Sequence, residues 1–249
     1  MGVACCSSSQ FDESGSDLAA PILVGKKRYQ EFELNLPFAR THVNFFVKAV
    51  DAAHDSLAHK RFVTIESLRN QLTTPAWADL DKKDSALVKM LSSNAFKREG
   101  QKPAEIDVVY LTIMGMLNCV GTQKDKALVL FTLLQPGGPE KNPNISANDK
   151  DLDDVFPKIV KLATVELFEL AATIARVEIP FTSMELNKMR AGITDFRENK
   201  FLEDVFGTES LLTWQAFVNH TATKSRYMCD PEELRREFFK SVGVDEPLT

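Results

Sequence analysis

E-I-D-V-V-Y-L-T-I-M-G-M-L-N-C-V-G-T-Q-K-D-K-A-L-V-L-F-T-L-L, residues Glu105 to Leu134, is the run from which the rest of the chain can be read. It opens with a short β-prone piece, Ile106-Asp107-Val108. An apolar helix follows through Leu111, Met114 and Leu117, spaced for one helical face. Gly121 breaks that helix, and a second is expected from about Lys124 to Leu134. The run therefore reads as a strand, a helix and the start of another helical unit.

The same order recurs on both sides. Val43, Phe46, Val47 and Val50 repeat at three- and four-residue steps, a polar loop runs from Asp51 to Arg61, and Phe62-Val63-Thr64-Ile65-Glu66-Ser67-Leu68 opens a new helix. A helix from Leu87 to Phe96 and a loop from Lys97 to Glu105 precede Ile106. In a third copy Ala127 to Leu134 leads, a long loop starts at Gln135, Ile145 is the strand residue, and a helix follows through Val155, Ile159 and Leu162. In a fourth, Phe196 to Val205 leads, Leu212-Thr213-Trp214 is the strand, and Phe217 starts the closing helix. Each unit is helix, loop of about a dozen residues, short strand, helix. Four diverged units make two pairs, with Val63 opposite Ile106 and Ile145 opposite Leu212.

On these phrases (I-D-V-V-Y-L, K-A-L-V-L-F-T-L-L and L-T-W-Q-A-F-V) the chain resembles the EF-hand superfamily, specifically the four-hand proteins of the neuronal calcium sensor and calcineurin B type. The resemblance covers roughly residues 36–225. It implies an all-α fold of two lobes, residues 31–122 and 123–225, each a pair of EF-hand-like helix-loop-helix units joined by a two-residue β ladder. Residues 1–30 are then a flexible N-terminal tether and residues 226–249 a C-terminal helix and tail.

The chain departs from that family in its loops. A calcium loop needs oxygen ligands at positions 1, 3 and 5, glycine at 6 and a bidentate glutamate at 12. Aligned on the strand residue, the first loop offers Ser56, Ala58 and Lys60, then Arg61 and Ser67; the second offers Glu99, Gln101 and Pro103, then Ala104 and Tyr110; the fourth offers Val205, Gly207 and Glu209, then Ser210 and Ala216. None supplies a cage of oxygens. In the third, Glu140, Asn142 and Asp149 are weak candidates, in a loop lengthened by prolines and glycines. Asp149, Asp151, Asp153 and Asp154 read better as helix-start charges favoured by the helix dipole. Calcium switching is not expected.

Two further stretches bear on partners. The run from about Leu152 to Val177 is nearly apolar all round, which predicts a helix buried on every side or one whose free face receives another helix; Ile179-Pro180 ends it. Near the C-terminus, Asp230 at the N-cap, Pro231 at N1 and Glu233 at N3 start a last helix whose Leu234, Phe238 and Val242 share a face. EF-hand proteins bind amphipathic helices in a hydrophobic groove, so this helix is expected in or beside such a groove, as core or as a displaceable plug.

The chain begins M-G-V-A-C-C-S-S-S-Q. Removal of Met1 would present Gly2 for N-myristoylation, although Cys6 stands where the acceptor pattern has Ser or Thr. One myristoyl chain binds membranes reversibly, and Cys5 and Cys6 would add palmitate as the second anchor. Lys26, Lys27 and Arg28 read as solvated surface. The 249 residues carry a net charge of −5 with both signs mixed, which argues against nucleic acid as the partner. No apolar run approaches the roughly 20 residues that span a bilayer. Four cysteines without metal or disulfide spacing fit a reducing, cytosolic setting.

No enzymatic motif is found: His42, His54, His59 and His220 lack ligand spacing, and Cys229 would be a nucleophile only if the fold brought His220 to it. The reading is a non-enzymatic adaptor on the cytosolic face of a membrane, binding a partner helix in a hydrophobic groove with no cofactor. The alternatives are a calcium sensor using the third loop and a soluble structural subunit of a larger assembly.

Overall fold

A computed structural model of the chain describes residues 27–55, 61–98, 100–102 and 104–246. The chain is mostly helical, with two two-stranded sheets among the described residues. The first half holds α1 (Arg28–Asn35), α2 (Val43–Asp55), β1 (Phe62–Thr64), α3 (Ile65–Gln71), α4 (Ala86–Leu91), β2 (Glu105–Asp107) and α5 (Val108–Asn118). After α6 (Gln123–Leu134) and the short α7 (Gly138–Lys141) come β3 (Asn144–Ser146), α8 (Lys150–Ala163), α9 (Val165–Ala175) and α10 (Ser183–Ala191). Then α11 (Ile193–Phe196) runs through a π turn into α12 (Leu202–Phe206), followed by β4 (Leu211–Thr213), α13 (Trp214–Thr223) and α14 (Pro231–Val242).

Strands β1 and β2 pair antiparallel with Val63 opposite Ile106, and β3 and β4 with Ile145 opposite Leu212, the partners read from the sequence. Each ladder is three residue pairs long rather than two. The central residue of every strand is buried, so the register is pinned by the core. Three strands end on the residue that caps the next helix. Thr64 accepts from the Ser67 amide at 3.1 Å, Asp107 from Val109 at 2.8 Å and Thr213 from Ala216 at 3.3 Å. A short side-chain oxygen satisfies an amide the first turn leaves free, so strand passes to helix without a loop. Val108, expected in the strand, is therefore the first residue of α5.

Three expectations change. The helix read as continuous from Leu152 to Val177 is two, broken at Thr164, whose φ of −122° and ψ of −103° lie outside the helical region. Nor is it buried all round: Asp151, Asp153, Asp154, Lys161 and Glu169 face solvent. At the N-terminal side, α1 begins at Arg28, inside the stretch expected as tether, because Tyr29 and Phe32 are buried. The break between α5 and α6 precedes Gly121, since Cys119 is already extended. Gly121 is needed for closeness instead: a Cβ there would lie 2.7 Å from Val43 Cγ1.

The buried hydrophobics form one connected cluster from Tyr29 to Val244. Helix α5 packs on α8 and α6 on α13, so both ladders share that core.

Candidate binding groove

Helix α6 explains where the chain keeps an open apolar surface. Ala127, Leu130, Phe131 and Leu134 form its buried face, with the Phe131 ring edge-on to Phe217 of α13 at 5.7 Å. On the opposite side Leu128 is 38% exposed and Leu133 half-buried. A helix apolar on both sides needs a cover on both, and here α2 and α5 cover the second side only in part. Leu128 is one of three exposed large hydrophobics among the described residues, with Met184 and Leu211.

That side of α6 forms a groove of about 560 Å³ with α2 and α5. Val47 from α2, Val108 from α5 and Leu128, Val129 and Leu133 from α6 are its apolar lining. The groove is about two helical turns long, from Asn44 to Asp51 along α2 at 1.5 Å per residue. Asp125 and Asp51 stand near its ends and Lys48 between them. Burial pushes the Asp125 carboxyl up, but hydrogen bonds from Thr122 and Asn44 outweigh it and hold the carboxyl below the usual range. The Asn44 amide donates to it at 3.3 Å, fixing α2 to α6.

Behind the groove, the face of α2 turned away from it is tightly packed. Phe46 stacks on Trp77 at 5.5 Å and meets Phe38 at 5.2 Å, and the Trp77 indole donates to Thr41 Oγ1 at 2.9 Å. Gly115 of α5 lies directly against the Phe46 ring, leaving no room for a Cβ. This close approach sets the separation of α2 and α5.

The tail helix α14 does not occupy this groove. It packs on α8, α10 and α11. Asp230 caps it, accepting from the Glu232 and Glu233 amides at 2.9 Å. Leu234 and Phe238 are fully buried, and Phe238 meets Phe196 at 5.3 Å. Val242 is half-buried, its methyl seated against Gly192. The buried face is wider than the three-residue stripe, because Arg235 and Phe239 are also inside.

Arg235 has the most consequential position. Its guanidinium donates to both Glu33 oxygens of α1, at 3.0 and 2.8 Å, and to the Ala163 carbonyl at 3.0 Å. It also sits 5.3 Å from the Tyr29 ring centre. The broken helix explains the third bond: with Thr164 out of helical conformation, Ala163 O is an orphan helix-end acceptor. Burial pulls the guanidinium pKa down, Glu33 more than restores it, and the arginine stays charged. Lys27 and Glu246 add an outer ion pair at 2.9 Å between the same ends of the described chain.

The third-loop residues are used structurally. Asp149 caps α8, accepting from the Asp151 amide at 3.0 Å and from Gln135. Asn142 donates to Pro136 O at 3.0 Å, and Glu140 lies in the first turn of α7. Among the described residues no group of three or more His, Cys, Asp or Glu is placed to hold a metal ion. Cys119 and Cys229 are buried and free, and burial pushes the Cys229 thiol up to about 12. His220 Nδ1 pairs with Val205 O at 2.6 Å. Gly2, Cys5, Cys6 and the first-loop positions Ser56, Ala58 and Lys60 lie outside the described residues, as do Glu99 and Pro103. Among the described residues no helix is long and apolar enough to cross a membrane. No protein-family model matches the chain, and comparisons with curated proteins and with solved structures return no match.

Proposed function

We propose that the chain is a non-enzymatic, EF-hand-like adaptor that binds a partner helix in the α2–α5–α6 groove, without calcium as its switch, while acylation at Gly2 and at Cys5 or Cys6 tethers it to the cytosolic face of a membrane. The partly covered apolar side of α6 carries this reading. A two-turn groove with aliphatic walls and charges near both ends suits an amphipathic helix, whose apolar residues recur every three or four positions. The EF-hand element rests on the order helix, strand, helix in each unit and on the paired strands.

The test is a helical peptide selected against the full chain. Leu128→Glu and Leu133→Glu are expected to lose at least about tenfold in affinity, as truncation of a buried anchor does. Unchanged affinity in both variants overturns the groove. Intact mass of the protein from its own cells decides the tether: a myristoyl mass on Gly2 supports it, and an unmodified Gly2 removes it. Trp214 emission should stay flat in a calcium titration to the millimolar range; a saturable change would restore the sensor.

A further inference from the structure

A second cavity, of about 430 Å³, opens between the two halves of the chain. Helix α9 supplies Glu166, Leu170 and Ile174, and α4 with the turn after it supplies Lys89, Ser93 and Ala95. Two oxygens on these residues, Glu166 Oε2 and Ser93 Oγ, are closed to bulk solvent and have no hydrogen-bond partner. Buried polar atoms are nearly always satisfied, so two orphans on one cavity call for an explanation. A carboxylate only accepts, and a hydroxyl can accept as well, so a hydrogen-bond donor would complete both.

The charges around Glu166 come from every side. Glu169 shares its helix, Lys161 reaches it from α8, Arg190 from α10, and Tyr110 of α5 lies within its field. Arg190 is already engaged by Glu169 at 2.6 Å. Burial raises the Glu166 carboxyl to about 7, Glu169 adds to the rise, and Lys161 and Arg190 oppose it. The cations nearby thus do not offset the burial of this carboxyl. Leu170, Ile174 and Ala95 offer an aliphatic surface beside it, while Lys89 disfavours a second positive charge.

We infer that this cavity binds a primary alkylammonium group, which donates to the Glu166 carboxylate and the Ser93 hydroxyl and lays a short aliphatic body against Leu170 and Ile174. Both oxygens are covered before binding, so the Glu166 carboxyl and the Ser93 hydroxyl must each turn toward the cavity to meet the donor; the last torsion of a glutamate is soft and a serine hydroxyl moves between staggered rotamers. A free amine and a lysine side chain of another protein share this chemistry.

The experiment is a carbon-detected NMR titration of the Glu166 carboxyl in the full chain, with n-butylammonium as probe. Saturable binding is expected, with the Glu166 midpoint falling by about one pH unit or more and affinity falling about tenfold per pH unit below 7. Glu166→Gln should weaken binding about tenfold or more, the scale of a charge-assisted hydrogen bond, and Ser93→Ala a few-fold. Putrescine, with its second charge, should bind more weakly. Tighter binding of Nα-acetyl-lysine amide than of n-butylammonium would identify a protein lysine as the source; weaker binding would identify a free amine. No change in the Glu166 titration at tens of millimolar probe, or equal affinity in a folded Glu166→Gln variant, overturns the inference.

Discussion

Helix α6 and the α8–α9 pair look alike as strings of apolar residues, and the fold treats them in opposite ways. The α8–α9 run is the longer and more apolar to the eye, yet it is divided at Thr164 and turns Asp151, Asp153, Asp154 and Lys161 to solvent. Its inner face is covered at Phe168 by Phe239 of α14 and Tyr29 of α1. Helix α6 is only twelve residues long, and its second apolar side stays partly open. Apolar content alone therefore does not locate a binding surface. What matters is which face a neighbour covers, and that is settled by helices distant in sequence.

The sealed region should break most severely at its buried charge. Arg235→Ala leaves Glu33 buried and unpaired and the Ala163 carbonyl orphaned, so denaturant unfolding should show a loss of about 3–5 kcal/mol. Replacing Glu33 and Arg235 together by Gln and Met should cost less than the single change, because no lone charge remains. A double-mutant loss equal to the sum of the singles would mean that α1 and α14 are not coupled through this pair. The same coupling bears on the tail: a displaced α14 would strand Glu33, so displacement should expose α1 to protease as well.

Glu166 is the point where the sealed region admits a titration. The folded chain holds its proton to about pH 7, whereas its ordinary value is 4.5. A raised folded value means that stability is fully present below 4.5 and is lost as pH rises through 7. Glu166→Gln should accordingly stabilise the chain at pH 8 by up to about 3 kcal/mol, and the gain should vanish near pH 4. Melting curves across that range check the sign.

Gly115→Ala tests the α2–α5 contact behind the groove. The added methyl meets a Phe46 ring held between Phe38 and Trp77, so it cannot be accommodated by a side-chain swing. A cost of about 2 kcal/mol is expected, with a changed Trp77 environment in near-ultraviolet dichroism. The smallest effect on stability belongs to the open face: Leu128→Glu should shift unfolding by no more than about 0.5 kcal/mol while removing peptide binding. A large loss of stability there would mean that Leu128 is core and the groove is closed in solution.

Much of the local structure was legible. The strand partners Val63–Ile106 and Ile145–Leu212 follow from the repeated helix, strand, helix order, and the cap at Asp230 with Pro231 marks the last helix unaided. Thr64 and Thr213 carry capping oxygens that a close reading of strand ends can find. The break at Thr164 was not legible, because Leu162, Ala163 and Val165 continue a helical pattern through it. The groove was hidden for a related reason: K-A-L-V-L-F-T-L-L states that α6 is apolar on two sides and not which side α13 will take.

Local pattern was enough for most helix starts, for the Asp230 cap and, through the repeated order of elements, for the pairing of the strands. Long-range packing alone makes Glu33 and Arg235, 202 residues apart, one buried pair. It also decided that Lys126 is buried, donating at 3.0 Å to the carbonyls of Leu117 and Cys229. A charge enters a core only where partners from several elements converge on it, and that convergence has no local signature.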